Sequence, residues 1–312
     1  MRTWAVAIAL FIFAAGAQGG APSRKQWTRI AEALERAGTS DSLITAAIVR
    51  REKFRDSKSA LADLDRALVL DPNQPDNAWL ALSICTDTAG CDSKPRAARL
   101  RELDPANAAG FEAALTSART SGDVAAEDGA LAAIADSSYY DIYWSRLITR
   151  GSDALTQPLG RGGRPLRALI DAADDMVTGL AGAALPSFTS ISRTCKGDRL
   201  AREDVVKWCR EVARVLDGGD TYLASMFGRV IAFRVWPPES TEAAEFREGS
   251  RQYNYVREQT EPFENASKTS VDEARRMIER YRAHRREQDV FRQWLIDLGL
   301  PPEAPAGWQP AK

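Results

Sequence analysis

The chain has 312 residues, four cysteines, one histidine and a net charge of −1, from 42 Lys and Arg against 43 Asp and Glu. Near-neutrality argues against a general nucleic-acid or membrane-surface role, since both need a surplus of positive charge. The length is ample for a sizeable hydrophobic core without reliance on covalent staples.

Residues 1–17 read as a secretory signal peptide. Arg2 supplies the positive start, Trp4 to Ala15 is an uncharged apolar run, and Ala15-Gly16-Ala17 fits the small-x-small cleavage pattern, with residue 19 as the latest alternative. The run is shorter than the roughly 20 residues of a membrane span, and no later segment is apolar enough to cross a bilayer. The expected location is periplasmic or secreted, with an uncleaved N-terminal anchor as the alternative.

Helical patterning follows. Ser23 to Ala37 carries Trp27, Ile30, Ala31 and Leu34 at helical spacing and stops at Gly38. Thr39-Ser40-Asp41 caps a second helix with Leu43, Ile44 and Ala47 inward. Ser57 to Leu70 buries Leu61, Leu64, Ala67 and Leu68, and Asp71-Pro72 ends it, because the residue before proline is pushed out of the helical region. Asp76 is the expected N-cap of a helix to Cys85. Pro95 to Leu103, Ala109 to Arg119 and Val124 to Ala135 follow, the last two joined at Ser121-Gly122-Asp123. Residues 137–165 read as a linker with an aromatic cap and a flexible Gly160-Arg161-Gly162-Gly163-Arg164-Pro165 junction. Beyond it, residues 166–300 form a helical C-terminal region. It comprises Leu166 to Leu185, Arg202 to Leu216, a central buried helix Thr221 to Val235 capped by Asp220, Ser240 to Gln259, and one long helix opened by Ser270 and running to Leu298. Residues 301–312 read as a disordered tail. With no period-two pattern, the expected fold is all-α.

Leu-Asp-Pro occurs at Leu70-Asp71-Pro72 and again at Leu103-Asp104-Pro105, 33 residues later, each time between helical runs. That period belongs to helix-turn-helix repeats. Ala60, Leu64, Ala67 and Pro72 fall where a tetratricopeptide repeat places its small, large, small and terminating residues, and residues 40–136 resemble that family. Trp79 lies one residue later than the family's aromatic, and Pro95 falls where the family has a helix interior. The resemblance implies a solenoid of helical hairpins over residues 24–136 that binds a peptide or protein partner, as a non-enzymatic scaffold of the cell envelope. Trp79, Phe111, Tyr140, Tyr143 and Trp144 are the expected contact residues, with a cap over the apolar end of the repeats as the other reading of the tyrosine-rich group.

Cys85, Cys91, Cys195 and Cys209 are an even set in an exported chain and imply two disulfides. Three connectivities are open, and the two local pairs are favoured. No metal or cofactor is expected, because Cys-x-x-Cys is absent and His284 stands alone. A triad around His284 has no neighbouring nucleophile or acid, so a solvated helix residue is expected. The alternatives are an envelope hydrolase with paired carboxylates, using Glu242, Glu245, Glu261 and Glu264 beside Tyr253 and Tyr255, and a structural protein without a defined ligand. Asp174 and Asp175 point about 100° apart on a helix and cannot share a centre. Arg275, Arg276, Arg280, Arg282, Arg285 and Arg286 read as a solvated face laced with ion pairs.

Overall fold

The computed structural model describes residues 22–160, 175–177, 179–180, 185–186, 188–263 and 270–310. The signal-peptide reading, the glycine-rich junction beyond Gly160, Asp174 and Glu264 fall outside them. Among the described residues every regular element is helical and no strand is present. The helices are α1 (Arg24–Ala37), α2 (Ser40–Val49), α3 (Ser57–Leu70), α4 (Pro75–Thr86), α5 (Lys94–Leu103), α6 (Ala109–Ser121), α7 (Val124–Ala135), α8 (Trp144–Gly160), α9 (Thr189–Thr194), α10 (Glu203–Asp217), α11 (Tyr222–Val235), α12 (Thr241–Thr260), α13 (Val271–Ala283) and α14 (Glu287–Asp297). A π-helical turn, Arg50–Phe54, extends α2.

Local chemistry sets most of the ends. Ser23 and Gln26 form a reciprocal capping box, and Thr39 with Ser42 form another. Asp56, Asp123, Ser240 and Ser270 each accept a main-chain N–H three residues on. Gly38 and Gly122 end α1 and α6 in the left-handed conformation that glycine adopts without steric cost.

From α1 to α7 each helix packs on the next in sequence. Between α3 and its partners the small and large positions Ala60, Leu64 and Ala67 are fully buried. Residues Ser42 to Val49 of α2 are buried on all sides, because α1, α3 and α8 pack around that helix. In the C-terminal region α10 packs on α7 and α11, α12 on α11 and α14, and α13 on α8 and α14. Cys85 bridges to Cys91 across the α4–α5 turn, and Cys195 bridges to Cys209, tying the end of α9 to α10. Both local pairs therefore form, which fits an oxidising, exported compartment.

Several elements differ from the sequence expectation. The expected linker over 137–165 contains α8, whose Leu147, Ile148 and Leu155 are buried. Asp76 is not an N-cap. Gln74 holds that position, and Asp76 sits inside the first turn of α4, fully buried against α8. Thr221, not Asp220, caps α11. That helix is only half-buried: Phe233 is 47% exposed, while Ser225 and Arg229 face inward. The long C-terminal helix breaks at His284, whose extended backbone separates α13 from α14. Residues 301–310 are not loose, since Tyr255 donates to the Pro301 carbonyl and its ring meets Trp308 edge-on at 5.3 Å.

Candidate functional site

The strap between α7 and α8, residues 138–143, is held by many hydrogen bonds. Its main chain pairs with the α5–α6 loop: Ser138 N–H donates to the Ala106 carbonyl at 2.9 Å, and Ala108 N–H donates to the Tyr139 carbonyl at 2.8 Å. Asn107 is buried at the centre. Its amide donates to the Asp141 carbonyl and to the Tyr143 hydroxyl, and its Oδ1 accepts from Asp141 N–H and Ala109 N–H. The Tyr143 hydroxyl donates to Asp104 Oδ2 at 2.5 Å, and the Tyr139 hydroxyl donates to Asp104 Oδ1. Burial and the Asp104 carboxylate raise both phenols, Tyr139 to about 12. Tyr143 has a φ of +60°, a region that disfavours bulky side chains, and these bonds hold it there.

The strap also reaches the C-terminal region. Asp220 accepts Ile142 N–H at 3.1 Å and Trp144 N–H at 2.9 Å, and its own N–H donates to the Tyr140 carbonyl. Asp220 is fully buried beside Asp141, so desolvation and the neighbouring charge push its pKa well up. Asp141 accepts Tyr143 N–H at 2.6 Å and pairs with Arg285 at 2.7 Å. Arg285 lies in the α13–α14 break, over the Tyr139 ring. Its carbonyl accepts from Ser145 Oγ, and Glu287 N–H donates to the Asp220 carbonyl. These contacts are what break the last helix.

Two further carboxyls border the strap. Glu112 of α6 accepts the Tyr140 hydroxyl at 2.8 Å, and burial raises it to about 7. Glu287 accepts Tyr222 N–H at 2.7 Å, and burial likewise raises it to about 7. Raised carboxyls suit proton transfer when they face an open cleft. Here Glu112 is taken by the Tyr140 hydroxyl, Glu287 by the Tyr222 N–H and Asp220 by the Ile142 and Trp144 N–H groups, while Asp141 pairs with the half-exposed Arg285. The arrangement joins α5–α7 to α10–α14 and holds Tyr143 in its strained conformation.

Of the residues singled out for contact, Tyr140 is fully buried, and Trp79, Tyr143 and Trp144 retain 4%, 9% and 4% exposure. Phe111 is half-buried under the Arg101 guanidinium. Tyr139, Tyr140, Tyr143 and Trp144 are brought together, while Trp79 lies in α4. Glu245 and Glu261 are exposed and Glu242 is half-buried. Arg275 and Arg276 pair along α13 with Asp272 and Glu273, Arg282 and Arg285 pair with the remote Asp153 and Asp141, Arg286 bonds the Gln288 amide and no carboxylate among the described residues, and Arg280 is buried between Glu273 and Asp297. Sequence reasoning did not single out Asp104, Asn107, Glu112, Asp141, Asp220, Arg285 or Glu287 as a group. Asp104 drew notice only inside the second Leu-Asp-Pro, Asp220 as an expected helix cap and Arg285 as part of a basic stretch.

Open surface lies elsewhere. A groove of about 410 Å³ is lined by Gly38, Leu43, Asp65, Arg66, Val69 and Leu70. Val69 is 81% exposed and Leu70 55%. Across α3, a second groove of about 400 Å³ is lined by Leu68, Ala78, Ala81 and Pro95, with Arg96 and Arg99 among its polar neighbours. Among the described residues no group of three or more His, Cys, Asp or Glu side chains is placed to hold a metal ion, and no helix is long and apolar enough to cross a membrane. Comparison with protein families, curated proteins and solved structures finds no match to this chain.

Proposed function

We propose that the protein is an exported, non-enzymatic scaffold of the cell envelope that binds a protein or peptide through tetratricopeptide-like helical hairpins. The observation that carries this reading is the exposed apolar end of α3. Val69 and Leu70 stand in solvent and line one of the two grooves, and large exposed side chains on a concave surface mark interaction sites more often than fold requirements. Sequential packing of α1 to α7 and burial of Ala60, Leu64 and Ala67 support the repeat reading. The disulfides support an exported location. In this reading the tyrosine-rich strap locks the hairpins to the C-terminal region, and α3 presents the contact surface.

The test is quantitative co-purification from the native envelope. Val69→Asp with Leu70→Asp changes only exposed positions, so folding and melting are retained while a partner recovered with the wild type is lost. Equal recovery of the same partner with both proteins refutes the α3 surface.

A further inference from the structure

Most arginines among the described residues face carboxylates. Arg50 meets Asp63 at 2.7 Å, Arg150 meets Asp41 at 2.6 Å, and Arg280 meets Glu273 at 2.7 Å. The surface around the Cys195–Cys209 bridge is different. Arg193 and Lys196 flank Cys195 and are exposed. Arg210 follows Cys209 and donates Nε to the Val235 carbonyl at 3.2 Å. Arg234 donates one nitrogen, Nη1, to the Ser192 carbonyl at 2.9 Å and to the Ser192 hydroxyl. Those bonds, with the disulfide, gather the four cations where α9, α10 and the end of α11 meet. Among the described residues none of the four is ion-paired with a carboxylate.

Clustered like charges repel, and a guanidinium that spends one N–H on a carbonyl keeps its other donors free. Arg234 is exposed, and desolvation of part of its side chain lowers its pKa with no acid to offset it. The acids close by in sequence do not fill the gap: Glu211 is taken by Arg214, and among the described residues neither Asp198 nor Glu239 forms an ion pair with any of the four. Phe233, next to Arg234, presents a 47% exposed ring. Arg210 and Arg214 both lie over Trp236, at 5.9 and 5.0 Å. Arginine and aromatic groups side by side are typical of protein contact surfaces, and guanidinium groups match carboxylates in a planar fork.

We propose that Arg193, Lys196, Arg210 and Arg234, with Phe233, form a docking surface for an acidic peptide segment that carries an apolar anchor. The carboxylates occupy the free guanidinium donors and the anchor covers Phe233. An anionic polymer without apolar groups would satisfy the charges and leave Phe233 in solvent, and a single exposed ring offers a bilayer far less than the apolar helix face that holds a protein at a membrane surface. This surface involves different helices from the α3 grooves, so the two readings stand or fall separately.

The test titrates the mature protein into a fluorescein-labelled peptide of Asp and Glu around a central Leu-Phe pair. The controls are an Asn/Gln version, a version with Ser replacing Leu-Phe, and phosphatidylglycerol vesicles. The acidic apolar peptide is expected to bind, weakening with added salt. Arg210→Gln with Arg234→Gln weakens it roughly tenfold or more. Because those two arginines also bond main-chain carbonyls, Arg193→Glu with Lys196→Glu is the companion variant. It alters exposed side chains alone and is expected to weaken binding to a similar degree, with unchanged melting. Phe233→Ser is expected to reduce binding of the Leu-Phe peptide and leave the Ser version unchanged. Absence of peptide binding, equal binding by wild type and both charge variants, or binding of vesicles alone would overturn the proposal.

Discussion

Replacing Glu112 by glutamine separates the ionisation of this carboxyl from its hydrogen bonds. In the folded protein its pKa is about 7, against 4.5 ordinarily, because burial disfavours the charged form. The folded state therefore holds a proton that the unfolded chain releases above about pH 4.5. Stability from this group is full below the unfolded value, falls as pH rises, and is lost once pH passes about 7. A shift from 4.5 to about 7 corresponds to roughly 3 kcal/mol, an upper bound because part of Glu112 reaches solvent. Glutamine keeps an acceptor for the Tyr140 hydroxyl and cannot ionise. Glu112→Gln is thus expected to match or fall slightly below wild type near pH 4, and to exceed it by up to about 3 kcal/mol near pH 8. Urea denaturation of both proteins across that range gives the difference curve. The difference is the proper readout, because acids held low, such as Glu273 by Arg280 and Arg276 and Asp297 by Gln293 and Arg280, tilt the absolute profile the other way. Parallel profiles would refute the reasoning, since they would mean that the folded carboxyl titrates as in the unfolded chain.

Arg150 joins α8 to the wholly buried Asp76 of α4 and to Asp41 of α2, so Arg150→Met should cost about 3 kcal/mol in thermal unfolding, with Asp76→Asn recovering part of it in the double variant. Gly228 lets α11 approach α10: an added Cβ would lie 2.6 Å from both the Ala213 carbonyl oxygen and the Asp217 nitrogen, so Gly228→Ala should destabilise by about 1–3 kcal/mol in urea titration. The disulfides span 14 and 6 residues, and chain entropy gives about 3 kcal/mol for Cys195–Cys209 and about 2 kcal/mol for Cys85–Cys91. Serine variants of each pair, denatured without reductant, should show that order.

What the sequence reveals here is local. The cap residues Ser23, Thr39, Asp56, Asp123, Ser240 and Ser270 act within one turn, so the starts of their helices are legible. So is the stop at Asp71-Pro72. The strap is opaque for the opposite reason: Asn107 meets Asp141 and Tyr143, and Asp220 meets Ile142 and Trp144, across long stretches of chain. No short-range pattern encodes those pairings. The tyrosine-rich run drew notice by composition, but composition does not say that Tyr140 would lie fully buried on Glu112. The break at His284 is likewise set by remote partners, since Arg285 is held by Asp141 and the Glu287 N–H by the Asp220 carbonyl. The exposed Val69 and Leu70 end an otherwise well-read helix, and only the packing of its neighbours shows that nothing covers them.

Site-specific photo-crosslinking tests the scaffold reading most directly. A benzophenone side chain at position 69, in the full chain expressed in its native envelope, probes the α3 surface. A second at Lys25, on an exposed turn of α1, serves as control. The account predicts one discrete adduct from position 69 and none from position 25. No adduct from position 69, or the same adducts from both positions, would contradict it.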